Sequence, residues 1–137
     1  MREVYVLDAC ALIAVLKKEE GFDKVTTAYK KANSGEAEII MNKANLLEVY
    51  YGFYKDKGKE FADKIIYSVN KSIINITEIS DAVFFEAGRI KASYRISFAD
   101  AIVLAEASVS GGVLLTADHH ELDTLEKSES IKFLWIR

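Results

Sequence analysis

Four carboxylates, Asp8, Glu48, Asp100 and Asp118, stand where distant parts of the chain could bring them together. Asp8 directly follows the apolar run Val4-Tyr5-Val6-Leu7, and Asp118 follows Val113-Leu114-Leu115 after the short step Thr116-Ala117. Ligands of open parallel sheets bind beyond the carboxyl ends of the strands, so if these two runs are neighbouring strands their acids converge. Asp100 falls in the first turn of an apolar helix, whose N-terminal end favours negative charge. Glu48 is flanked at helical spacing by Ala44 and Gly52, small residues that leave a depression around its carboxylate. Gathering four like charges in a partly buried hollow is unfavourable unless protons or cations neutralise them. Oxygen ligands select hard cations such as Mg²⁺ or Mn²⁺, whereas zinc recruits Cys or His at set spacings, and Cys10 is the only cysteine. A divalent ion held this way can activate water against a phosphodiester, so metal-dependent phosphodiester hydrolysis is the expected chemistry.

Each acid also has a bland role to set beside this. Asp8 could simply cap the next helix, Ser97-Phe98-Ala99-Asp100 matches a capping box, and Asp118 with Glu121 has the spacing of another cap. Glu48, in the middle of a helix, would ordinarily face solvent. Only the joint arrangement favours chemistry. His119 and His120 titrate near neutrality and could act as general acids, but adjacent histidines at a helix start point in different directions and no spacing compels that role. Arg95, the cation nearest Asp100 in sequence among Arg89, Lys91 and Arg95, is the preferred phosphate contact; Lys55, Lys57, Lys59 and Lys64 default to a solvated face.

The elements that must position these groups alternate between short Val, Ile and Leu runs and longer stretches of helical periodicity, the pattern of an α/β fold around a parallel sheet. Strands are expected over residues 4–7, 38–41, 73–76, 113–115 and 133–136, and helices over 10–18, 22–33, 43–57, 59–70, 81–94, 98–110 and 119–127. The segment 99–107 is apolar almost all round, with Glu106 its lone additional charge beyond Asp100, and should be a buried helix. The helix from Lys43 carries Leu46, Val49, Tyr50 and Phe53 on one stripe and Leu47, Tyr51 and Tyr54 on a second, more apolar surface than one core contact requires. The second stripe is expected to meet another subunit. With 137 residues, half of them hydrophobic, the chain suits one domain. Its net charge of −3 excludes a broad basic surface, so any nucleic acid must be gripped locally or through metal ions. The lone cysteine and the lack of a charged and apolar leader point to a reducing, cytoplasmic setting, and no apolar run approaches the roughly 18 residues a membrane span needs.

Taken in order, Val4-Tyr5-Val6-Leu7-Asp8-Ala9-Cys10-Ala11-Leu12, Asn45-Leu46-Leu47-Glu48, Ile96-Ser97-Phe98-Ala99-Asp100-Ala101 and Leu114-Leu115-Thr116-Ala117-Asp118 resemble the PIN domain family across essentially the whole chain, residues 1–137. In particular they are similar to the VapC-type toxins, compact ribonucleases of type II toxin-antitoxin systems. The resemblance implies a single-domain α/β/α sandwich on a five-stranded parallel sheet with its first and fourth strands adjacent. It implies that Asp8, Glu48, Asp100 and Asp118 are the catalytic, metal-holding acids, that Thr116 supports them, and that Mg²⁺ or Mn²⁺ is the cofactor. RNA as substrate and a small antitoxin as partner follow from the same likeness, beside Arg95 as a possible RNA contact and a homodimeric state from the residue pattern above. Two departures stand out: Ala9-Cys10-Ala11 occupies the place after Asp8 where many relatives carry a hydroxyl, and His119-His120 follow the fourth acid. The competing reading is a catalytically silent PIN-like or receiver-like binding module whose acids serve as helix caps. A phosphatase of the haloacid dehalogenase type would need a second Asp where Cys10 stands, and no G-x-G-x-x-G follows a strand.

Overall fold

The computed structural model describes residues 2–137, with Glu121 described by its backbone alone, so the expected pairing of Glu121 with Asp118 in a cap lies outside the described residues. The chain runs β1 (Glu3–Leu7), α1 (Ala9–Lys17), α2 (Phe22–Asn33), β2 (Ala37–Asn42), α3 (Lys43–Lys57), α4 (Lys59–Asn70), β3 (Asn75–Thr77), α5 (Asp81–Ser93), α6 (Phe98–Ser110), β4 (Val113–Thr116), α7 (His119–Ser128) and β5 (Lys132–Trp135). All pairings are parallel, in the order β3-β2-β1-β4-β5. The first and fourth strands are therefore neighbours, with Leu7 opposite Leu115, as the likeness implied.

Side-chain alternation along the central strands splits the core into two halves. Tyr5, Leu7, Ile39, Met41 and Leu115 pack with α1, α2, α3 and α4 on one face, while Val6, Ile40 and Leu114 pack with α5, α6 and α7 on the other. Strands buried on both faces read as continuous apolar runs, which is why Val4-Tyr5-Val6-Leu7 and Val113-Leu114-Leu115 were visible in the sequence. Helix α6 is the buried one: its residues from Ala101 to Ala107 are all inaccessible, and the Glu106 carboxylate is held by Asn42 Nδ2 at 3.0 Å and by the Thr77 hydroxyl. Among the described residues no helix is long and apolar enough to cross a membrane.

Differences from expectation are confined to element ends, and the largest is at β3. Ile74 is buried but its N–H is taken by the Ser72 hydroxyl, so the chain is still turning there and ladder pairing begins only at Asn75, opposite Ile40. At the opposite edge, Gly21 has φ +90° and its missing Cβ would lie 2.1 Å from the Ile136 carbonyl oxygen. No side chain fits at Gly21, and this close approach locks the start of α2 against the end of β5.

Candidate active site

Asp8 leaves β1 at its carboxyl end and caps α1, its Oδ1 accepting the Ala11 N–H at 2.8 Å. Across the ladder, β4 ends at Thr116, whose buried hydroxyl oxygen accepts the Asp118 N–H at 3.0 Å. The same hydroxyl donates to the Asp8 carboxylate. One threonine thus fixes the fourth acid relative to the first, and both lie at the strand ends where adjacent connections diverge, α1 to one face and α7 to the other.

The other two acids arrive from helices on opposite faces of the sheet. Glu48 sits half-buried on α3, and at Gly52, one turn on, a Cβ would meet nothing within 4 Å, so its surroundings are open as the small-sided stripe suggested. Asp100 is the third residue of α6 and half-buried. Ser97 caps that helix, its hydroxyl accepting the Asp100 N–H at 3.0 Å, which is the Ser97 half of the expected capping box.

A shared field ties the four together. Burial pushes the Asp8 carboxyl up to about 7, and the negative charges of Asp100 and Asp118 add to that rise. Burial also raises the Glu48 carboxyl, with Asp118 contributing, and the Cys10 thiol is pushed up to about 12 by burial together with Asp8, Asp118 and Glu48. A thiol held so firmly protonated is not a nucleophile at neutral pH. Among the described residues no three His, Cys, Asp or Glu side chains already form a metal-holding group, so ligation requires these carboxylates to turn toward a shared centre. The donor set is nonetheless suited to a hard cation, which would relieve the repulsion that raises Asp8 and Glu48.

The family model of the PIN domain matches residues 5–127. The chain belongs to the PIN domain family. No curated protein sequence matches it. Solved structures match over nearly the full length at low identity: a chain of the DNA-bound VapBC from Salmonella typhimurium at 17% identity, 100% of both chains and TM-score 0.76. VapBC2 from Rickettsia felis bound to a promoter DNA fragment matches at 16% identity, 96% of this chain and 98% of that chain, TM-score 0.73. VapC20 of Mycobacterium tuberculosis, a toxin that cleaves the sarcin-ricin loop, matches at 12% identity, 93% and 95% coverage and TM-score 0.60. At these identities the likeness is one of fold.

Within this PIN domain, Asn45 is a residue the sequence reading passed over. It lies on α3 one turn before Glu48, is 1% exposed, and donates from Nδ2 to the carbonyl of Ala99, the residue before Asp100, at 2.9 Å. Its Oδ1 is buried with no hydrogen-bond partner. This orphaned amide oxygen, one turn before Glu48, is a donor of the kind hard cations and their waters take up. Helical spacing put Asn45 on the Glu48 side of α3, but only the fold shows that it braces α6.

The remaining candidates separate cleanly. Arg95 is exposed on the link between α5 and α6, and His120 is exposed on α7. His119 is fully engaged, Nδ1 with Asp123 at 2.7 Å and Nε2 with the Arg137 carbonyl at 2.7 Å. Both partners are acceptors, so the ring satisfies them only as the imidazolium, and these contacts raise its pKa, Asp123 foremost. A ring committed on both edges is not a general acid for substrate.

Thr116→Val should remove both hydrogen bonds of the bridging hydroxyl at nearly constant shape. We expect roughly 1–3 kcal/mol of lost stability from the buried groups left unsatisfied, and a roughly 10- to 100-fold weaker Mn²⁺ affinity. Thr116→Ser should restore most of the metal affinity. Denaturant titration and Mn²⁺ titration by electron paramagnetic resonance check the two effects separately.

Proposed function

We propose that this PIN domain is a metal-dependent endoribonuclease and the toxin of a type II toxin-antitoxin pair. The observation that carries the reading is the Thr116 hydroxyl joining Asp8 and Asp118 at the ends of adjacent parallel strands, with Asp100 and Glu48 inside the same electrostatic field. In it, Asp8, Glu48, Asp100 and Asp118 hold Mg²⁺ or Mn²⁺. Such an ion supplies Lewis-acid polarisation of a phosphodiester and a water acidic enough to attack it at neutral pH. Thr116 orients the Asp8 carboxylate, Asn45 holds the Asp100 turn against α3, and Arg95 contacts the RNA backbone from the rim. The fold-level likeness to a toxin that cleaves the sarcin-ricin loop supports RNA as the substrate class.

The alternative, a silent module whose acids are caps, draws on the Asp8 bond to Ala11. It leaves unexplained why the cap is a buried carboxylate that repels two others, since Ser or Asn caps as well without charge.

Partners follow from exposed apolar surface. Leu47, Tyr51 and Tyr54 on α3 are 45–58% exposed, beside a groove of about 510 Å³ between α3 and α4 lined by Leu46, Leu47, Tyr50, Ile66 and Tyr67. Phe84, Phe85 and Phe98 are 62–73% exposed around a second groove between α5 and α6. Surface of this kind suits a homodimer contact and a small antitoxin, both acting in the cytoplasm.

The test is cleavage of a total-RNA preparation with Mn²⁺, with EDTA, and by Asp100→Asn. Cleavage that requires the ion and the carboxylate supports the reading. Inertness toward RNA with Mn²⁺ present, or full activity of Asp100→Asn, contradicts it.

A further inference from the structure

Beside the acid cluster stands a ladder of three aromatic rings with no part in metal chemistry. The His119 ring lies 4.0 Å from that of Trp135 at an interplanar angle of 16°, and Trp135 lies 5.2 Å from Phe133 at 17°. The stack joins the first residue of α7 to β5, which is fixed in register by Thr116 opposite Trp135. Two of the rings are held by their edges. Asp123 and the Arg137 carbonyl take the two His119 nitrogens, and Glu126 accepts from the Trp135 indole nitrogen at 3.2 Å.

The side chain of His119 is nevertheless 47% exposed. With both nitrogens occupied and one face covered by Trp135, that exposure falls chiefly on the outer face of the imidazole. The result is a rigid, pre-oriented π-surface open to solvent. It follows Asp118 directly in the chain, about 3.8 Å away from Cα to Cα, within a nucleotide's reach of the carboxylates. Asp123 on the His119 edge and Glu126 on the Trp135 edge are acidic and offset the imidazolium charge, so this surface suits the flat face of a base rather than the sugar-phosphate chain.

We propose that the outer face of His119, backed by Trp135 and Phe133, is a stacking seat for one unpaired nucleobase next to the scissile phosphate. The proposal rests on the ribonuclease reading for its substrate class. Single-stranded RNA is recognised in large part by stacking splayed bases on His, Tyr, Phe or Trp. The seat makes this chain a reader of unpaired segments, because a base inside a duplex cannot present its face. Pre-assembly of the ladder means that little side-chain freedom is lost when the base arrives.

Trp135 is the only tryptophan, so its emission reports directly on the stack. The experiment uses the full chain with Ca²⁺ in place of Mn²⁺ to suppress cleavage, RNA integrity being checked on a gel. Its probes are a ten-nucleotide single-stranded RNA and the same oligonucleotide carrying abasic positions. Intact RNA should change the Trp135 emission, and His119→Ala should weaken its binding about tenfold, as loss of one base stack does. His119→Tyr should retain most of the affinity, because it keeps a ring while losing the paired nitrogens. Wild type and His119→Ala should bind the abasic RNA alike, and both should bind Mn²⁺ alike. Equal losses in His119→Ala and His119→Tyr would show that only the anchoring of β5 matters and would overturn the seat. RNA affinity unchanged in His119→Ala would overturn it while leaving the ribonuclease reading intact. Failure of the wild type to bind any RNA, with the fold preserved, would remove both.

Discussion

Asp8→Asn should abolish RNA cleavage and, in the same protein, make the metal-free fold more stable at pH 8. The first effect follows from removing a charged oxygen ligand at the end of β1. Several kcal/mol of transition-state stabilisation depend on a bound metal ion, and a loss of about 4 kcal/mol is roughly a thousandfold in rate. The second effect has the opposite sign and a separate cause. Burial, reinforced by Asp100 and Asp118, moves the Asp8 carboxyl from 3.8 to about 7 in the folded protein. Between those values the native state holds a proton that the unfolded chain has released, so stability falls as pH rises through the window and the loss is complete above about 7. Three pH units correspond to no more than about 4 kcal/mol. Asn keeps the bond to the Ala11 N–H and caps a helix as well as Asp does, so the variant escapes the penalty without losing the cap. Denaturant titrations in EDTA at pH 5 and pH 8 check this: the wild type should lose stability between them and Asp8→Asn should lose much less.

Added Mn²⁺ should oppose that pH dependence in the wild type. Carboxylate ligands bind metal only when deprotonated, so the affinity rises through the range in which Asp8 and Glu48 titrate. An ion that binds only the native state stabilises it by about 2.7 kcal/mol at a hundred times its Kd. The shift in melting temperature on adding Mn²⁺ should therefore be small at pH 5 and largest at pH 8. Asp8→Asn should flatten the response. Melting curves with and without Mn²⁺ that shift in parallel at every pH would contradict a metal site built on these groups.

Much of this was legible in the chain because it is written in local pattern. The doubly buried strands β1 and β4 appear as unbroken apolar runs, and α6 as a helix without a polar face. Acids directly after such strands carry positional meaning before any fold is known. The adjacency of β1 and β4 was different in kind. Nothing local pairs two runs more than a hundred residues apart, and it entered only through the ordered likeness to the PIN family. At β3 the Ile73-Ile74 pair drew the expected strand two residues early, since apolarity marks burial while pairing waits for the Ser72 turn to end. Asn45 reads in sequence as one more polar helical residue; its unpaired oxygen is a property of α3 meeting α6. His119 looked like a titrating group in search of a role. Its partner Arg137 lies 18 residues on and Trp135 comes from β5, so its character as a fixed ring was invisible in the chain.

Whether the four acids form one metal site is decided by a Mn²⁺ titration of the wild type and of Asp8→Asn, Glu48→Gln, Asp100→Asn and Asp118→Asn, with free Mn²⁺ read by electron paramagnetic resonance at pH 8. Each of the four substitutions should weaken the same binding event by tenfold or more while circular dichroism stays unchanged. Binding that depends on Asp8 and Asp118 but is untouched by Asp100→Asn and Glu48→Gln would contradict it, because the acids would then belong to separate surroundings.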